Sequence, residues 1–170
     1  CMATSVAVPV GEAAASALLS KLVPRIARLR VGPSTSPEAD YGPLVSRQHL
    51  ERVKAYVAVG IAEGAELVVD GRDFRMQGYE NGFYLGPCLF DRVTPDMRIY
   101  REEIFGPVLG IVRAPDYETA LRLPSEHSYG NGVAIYTRDG DTARDFAARV
   151  NVGMVGVSVP IPVPLAYYAF

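Results

Sequence analysis

The chain has 170 residues, 49% of them hydrophobic, and a formal net charge of −2 from 17 basic and 19 acidic side chains. That length suits one domain with a substantial core, and the near-neutral balance excludes the electrostatic footprint of a nucleic-acid or anionic-membrane binder. With no apolar run near the roughly 20 residues that span a bilayer, no basic signal region and only two cysteines, the expectation is a reduced, cytoplasmic protein.

Residues 5–10 read as a short strand closed by Gly11. From Glu12 to Leu29, the side chains Leu18, Leu22, Ile26 and Leu29 share one helical face. Pro24 interrupts that pattern, and its missing backbone donor predicts a kink or a restart near residues 20–24. Residues 32–37, GPSTSP, form a loop. Ser46 is placed to cap a helix whose apolar face is Leu50, Val53, Val57 and Ile61, with Gly64 at its end. Residues 67–69 are a strand ended by the turn dipeptide Asp70-Gly71.

Residues 72–82 are polar and contain glycine, so they read as a loop. Residues 83–85 and 89–90 are short strand pieces separated by Gly86-Pro87. Residues 108–112 are almost continuously apolar, the pattern of a strand covered on both faces. Asp116 caps a short helix to about Leu123, and residues 132–136 read as another buried strand. A helix from about Asp141 to Val150 should bury Ala143, Phe146, Ala147 and Val150, and residues 154–158 form the last strand. The prolines of residues 160–164 keep that segment extended and out of a central strand. Strands alternating with helices predict an α/β fold with a largely parallel sheet and flanking helices.

The densest chemical signal is EEIFGPV, residues 102–108. Taken alone, such a string is an acidic pair beside a core aromatic. It resembles, however, the carboxylate-and-phenylalanine motif of the NAD(P)-dependent aldehyde dehydrogenase superfamily. Two further stretches are similar to that family. Cys1-Met2-Ala3 looks like the segment that carries its nucleophilic cysteine. The stretch GNGVAIYTRDGDTARDFAARVNVGMVGVSVPIPVP, from Gly130, looks like the catalytic domain of the methylmalonate-semialdehyde dehydrogenase branch.

The resemblance implies the catalytic domain of the aldehyde dehydrogenase fold over residues 1–170, as a C-terminal piece of a longer enzyme. Its implied roles are residue by residue. Cys1 is the thiolate that attacks the aldehyde to give a thiohemiacetal, whose oxyanion backbone N–H groups and a side-chain amide stabilise. Glu103 offers two carboxylate oxygens to the ribose hydroxyls of NAD, and Phe105 supports the nicotinamide end by apolar contact. Glu102 faces the other way as a surface or loop-fixing residue, while Gly106-Pro107 sets the exit into the following strand. Phe170 falls where the family has an aromatic lining the aldehyde tunnel.

The implied reaction is oxidation of methylmalonate or malonate semialdehyde, with coenzyme A as acyl acceptor and loss of carbon dioxide, in a homo-oligomer. The chain also departs from the family. The Gly-rich dinucleotide-binding domain, the general-base glutamate and the oxyanion-binding asparagine have no counterpart in it, and Ser158 replaces an asparagine. The isolated piece is therefore expected to be inactive.

Other polar residues have plainer readings. Cys88, in Gly-Pro-Cys-Leu-Phe, is a buried hydrophobe. His49 reads as solvated near a helix start and His127 as a loop residue, and neither has metal-ligand spacing. Two alternatives stand beside the dehydrogenase. One is an N-terminal-nucleophile hydrolase using Cys1, which requires an antiparallel sandwich; the other is a non-catalytic interaction domain.

Overall fold

The computed structural model describes residues 3–160 and Tyr167; Cys1 and Phe170, and most of the proline-rich 160–164 segment, lie outside the described residues. Two compact units divide the chain, one formed by residues 5–113 and one by stretches 1–4 and 114–170.

The first unit is built on a four-stranded sheet. Its strands are β1 (Val6–Ala7), β2 (Glu66–Val69), β3 (Cys88–Asp91) and β4 (Val108–Ile111), in the order β1-β4-β3-β2. β1 and β3 each run parallel to β4, and β2 closes the edge antiparallel to β3. Every residue of β3 is buried, as its central place requires. Residues 83–85 are not a strand: the carbonyls of Phe83 and Leu85 bond outside any ladder. Phe83 O accepts from Leu44 N at 2.9 Å and Leu85 O from Tyr41 Oη at 2.9 Å.

Helix α1 (Glu12–Ile26) is one element with no restart at Pro24. Pro24 lies in the last turn, where its missing donor removes a single intrahelical bond. The helix stops at Ile26, so Leu29 falls beyond it and is exposed, against the sequence expectation. Ile26, Leu89 and Ile111 form the core cluster beneath, with Leu18 and Leu22 packed on it.

Helix α2 (Arg47–Ala62) starts where expected, with Ser46 Oγ accepting from His49 N at 3.1 Å, and Gly64 follows its end at φ +96°. Leu50, Val53 and Val57 are buried, each contributing roughly 1.5–3 kcal/mol by leaving water. The fourth position of that stripe is Gly60 and not Ile61, which is exposed. A Cβ on Gly60 would lie 2.9 Å from Ile99 Cδ1 and 3.0 Å from Phe90 Cζ, so these side chains occupy the space a larger residue would need.

The second unit carries α4 (Tyr117–Glu126), α5 (Gly140–Arg149) and the parallel pair β5 (Gly132–Ile135) and β6 (Met154–Val157); the short α3 (Arg98–Arg101) belongs to the first. Asp116 caps α4 through Thr119 N at 2.7 Å, and Asp139 caps α5 through Thr142 N at 2.6 Å. Of the residues expected to be buried on α5, Phe146 is, Ala143 and Val150 are half-buried and Ala147 is exposed. β5 is likewise only half-buried, with Tyr136 beyond it exposed, and among the described residues its sheet has two strands. The expected α/β fold with a largely parallel sheet is the observed one. Its parallel ladders are incompatible with the antiparallel sandwich of the N-terminal-nucleophile alternative.

Candidate active-site loop

Residues 102–107 join α3 to β4 and lie against α2. The two adjacent glutamates have opposite situations. Glu102 is fully engaged: Tyr56 Oη donates to its Oε2 at 2.6 Å, and Arg98 donates Nε to Oε1 at 2.9 Å and Nη2 to Oε2 at 3.1 Å. The Arg98 guanidinium first, then the Tyr56 hydroxyl, pull the Glu102 pKa down to about 2. Both donors favour the charged form. Glu102 thus fixes the loop, as expected from the sequence.

Glu103 is exposed, and its carboxylate makes no hydrogen bond or ion pair with another described residue. Only its backbone is held: Glu103 O accepts from Arg52 Nη2 at 3.0 Å. Phe105 follows at φ +59°, the left-handed region that a bulky residue enters only where its surroundings enforce it. Phe105 is 58% exposed, a large apolar residue left uncovered two positions from the free carboxylate.

The enforcement is local. Gly106 lies so close to Val53 that a Cβ there would come within 2.7 Å of Val53 Cγ1, so only glycine allows this approach. Beyond it, Val108 N bonds Gly106 O at 2.7 Å and Cys88 N bonds Pro107 O at 2.8 Å, joining the loop to the sheet.

His49 departs from its sequence reading. It is half-buried: its Nδ1 is shut off from water without a hydrogen-bond partner, and its ring centre lies 6.1 Å from that of Phe105. The cause is its place on the side of α2 that carries the 102–107 loop. Arg52, Tyr56 and Arg98 were not singled out in the sequence either. For Arg52 and Tyr56 the signal is that 49, 52, 53 and 56 follow the i, i+3, i+4, i+7 spacing of one helix face; Arg98, on α3, carries no such signal.

Cys88 is a buried thiol, as read. Gly71 N donates to its Sγ at 3.3 Å, and burial pushes its pKa up, which keeps it protonated and unreactive. His127 Nδ1 accepts from Tyr129 N at 3.0 Å. Among the described residues no group of three or more His, Cys, Asp or Glu could hold a metal ion, and no helix is long and apolar enough to cross a membrane. The structure thus describes Glu103 and Phe105 on one loop, whereas the predicted Cys1 and Phe170 fall outside what it describes.

A model of the aldehyde dehydrogenase family matches residues 1–169. Malonate-semialdehyde dehydrogenase of Pseudomonas aeruginosa is 56% identical over 170 residues, an overlap of 100% of this chain and 34% of that protein. The acylating, mitochondrial methylmalonate-semialdehyde/malonate-semialdehyde dehydrogenase of Bos taurus is 46% identical, over 100% of this chain and 31% of that one. A protein of Sinorhizobium meliloti 1021, solved with NAD and provisionally named a methylmalonate-semialdehyde dehydrogenase, superposes with a TM-score of 0.98 at 65% identity. That overlap is 100% of this chain and 35% of the solved one. The chain therefore spans about a third of the length of these relatives. Those shares measure extent and not position, so they do not bear out the C-terminal placement expected from the sequence.

Proposed function

Because the chain belongs to the aldehyde dehydrogenase family, we propose that it is the nucleophile-bearing catalytic part of an NAD-dependent, CoA-acylating semialdehyde dehydrogenase. Its substrate is malonate or methylmalonate semialdehyde, and its products are acetyl- or propionyl-CoA with carbon dioxide and NADH. The names of its relatives support the substrate class, and the acylating name of the bovine relative supports coenzyme A as acceptor. The NAD bound to the Sinorhizobium protein supports the cofactor.

The observation that carries the reading is the contrast between the adjacent carboxylates. Glu102 is consumed by Tyr56 and Arg98, whereas Glu103 keeps both oxygens available on a loop whose backbone is held. Two free acceptors suit two ribose hydroxyls, and the exposed Phe105 ring, two residues on, suits the face of a planar cofactor ring. When bound, NAD accepts the hydride. The chain's own residues do the rest. Glu103 orients the ribose, Phe105 limits where the nicotinamide end can lie, and Cys1 supplies the thiolate that bonds the aldehyde carbon and later carries the acyl group to coenzyme A. Phe170 lines the aldehyde's approach. We read the enzyme as a cytoplasmic homo-oligomer, with β6, which pairs only with β5 among the described residues, available at its free edge.

Glu103→Gln in the full-length enzyme tests the ribose role. The amide keeps the shape and loses the charge-assisted acceptor, a loss of about 1–3 kcal/mol. Single-turnover NADH formation should slow while alkylation of the catalytic thiol keeps its rate. An unchanged NADH rate would remove the ribose assignment.

A further inference from the structure

We propose that Tyr56 and Glu102 form a positioning pair for the cofactor loop, through which α2 sets the place of the Glu103 carboxylate without carrying the ribose contact themselves. The inference rests on the ribose reading of Glu103. The loop is held from one face of α2 at three successive points. At its start, Tyr56 Oη and Arg98 Nη2 converge on the same Glu102 oxygen, at 2.6 and 3.1 Å, with Arg98 Nε on the other. In its middle, Arg52 holds the Glu103 carbonyl at 3.0 Å. After the turn, Gly106 bears directly on Val53.

Tyr56 ties these points together. The guanidinium carbons of Arg52 and Arg98 lie 5.6 and 5.9 Å from the centre of its ring, so the two cations that grip the loop also pack on the residue that grips Glu102. Glu102 and Glu103 are joined by one planar peptide, so the anchor on the Glu102 side chain and the Arg52 bond to the Glu103 carbonyl bracket the backbone that carries the Glu103 carboxylate. A residue pair that only stabilised the fold would act elsewhere on the chain just as well. This one acts on the residue next to the free carboxylate, and it uses hydrogen bonds to a charged group, which are short and directional.

The test uses the full-length enzyme and five variants: Tyr56→Phe, Glu102→Ala, the double variant, Glu102→Gln, and Glu103→Gln as reference. The readouts are the KM for NAD, the single-turnover rate of NADH formation, the alkylation rate of the catalytic thiol and the melting temperature. Glu102→Ala should impair NAD use roughly tenfold, the scale of one lost hydrogen bond to a charged group, with Tyr56→Phe weaker in the same direction. The double variant should be no worse than Glu102→Ala alone, because both act through one contact. Thiol alkylation should be unchanged, and Glu102→Gln, which still accepts from Tyr56, should recover part of the loss.

If Glu103→Gln is impaired while Tyr56→Phe and Glu102→Ala keep the parent's NAD kinetics, the positioning role is wrong, whatever happens to the melting temperature. If Glu103→Gln itself behaves as the parent, the ribose reading fails and takes the positioning role with it. Should Glu102→Ala not fold, Tyr56→Phe, which changes one hydroxyl, decides the matter alone.

Discussion

Asp91 is a buried carboxylate at the end of β3, and it keeps its charge because Arg113 meets it with two donors, Nε at 3.0 Å and Nη2 at 2.5 Å; Arg113 also pairs with Glu12 of α1. The Arg113 contact first holds the Asp91 pKa below the ordinary value of 3.8, against the opposing effect of burial. A carboxylate with a depressed folded pKa stabilises fully above its unfolded value, and that contribution is lost as the pH falls through about 4 and below. Asp91→Ala should therefore cost about 3 kcal/mol or more at pH 7, by leaving Arg113 without its buried partner. Denaturant unfolding of parent and variant should converge as the pH drops toward 2. A gap that stayed constant with pH would mean that the ion pair is not the source of the loss. Residues of this kind differ in how legible they are. Glu103 and Phe105 stood out because their string is contiguous. Tyr56 and Arg52 could not, because their loop partners lie 46 and 51 residues away. Asp91 and Arg113, 22 apart, are hidden for the same reason.

At the scale of elements, caps were readable and cross-chain packing was not. Ser46 and Asp116 begin α2 and α4 as a short side chain accepting a nearby N–H should, because that contact is local. Ile61 was misassigned because helical spacing counts apolar residues and gives glycine no weight, although Gly60 is where Ile99 and Phe90 come closest. The strand expected over residues 83–85 is absent for a similar reason: Leu85 and Phe83 are covered by packing against Leu50 and Val53 of α2 and not by a ladder. Nearby, Gly71 and Gly86 meet backbone to backbone, with Gly86 N bonding Gly71 O at 3.0 Å. A Cβ on Gly71 would fall 2.2 Å from the Gly86 carbonyl carbon, and no flexible side chain is there to yield. Gly71→Ala should destabilise the protein by about 2 kcal/mol, within the range of overpacked sites. Gly140→Ala, where the added carbon meets nothing within 4 Å, should stay within about 0.5 kcal/mol. Denaturation midpoints of the two variants check this; equal midpoints would show that the glycine contact carries no such constraint.

For the molecule as a whole, alternation of strands and helices was enough to read an α/β fold with a largely parallel sheet, and the parallel pairs β1–β4, β3–β4 and β5–β6 agree with it. The antiparallel edge strand β2 was not foreseen, since pairing direction is set by where the chain returns and not by the composition of the strand. The functional account joins family membership to one local arrangement, a free carboxylate and an exposed aromatic ring on a held loop. Its central claim is oxidation coupled to acyl transfer. The direct measurement is to give the full-length enzyme malonate or methylmalonate semialdehyde with NAD and coenzyme A, and to quantify NADH and acyl-CoA together. The account predicts equal amounts of NADH and acetyl- or propionyl-CoA, with carbon dioxide released. No NADH, or NADH accompanied only by the free acid, would contradict it.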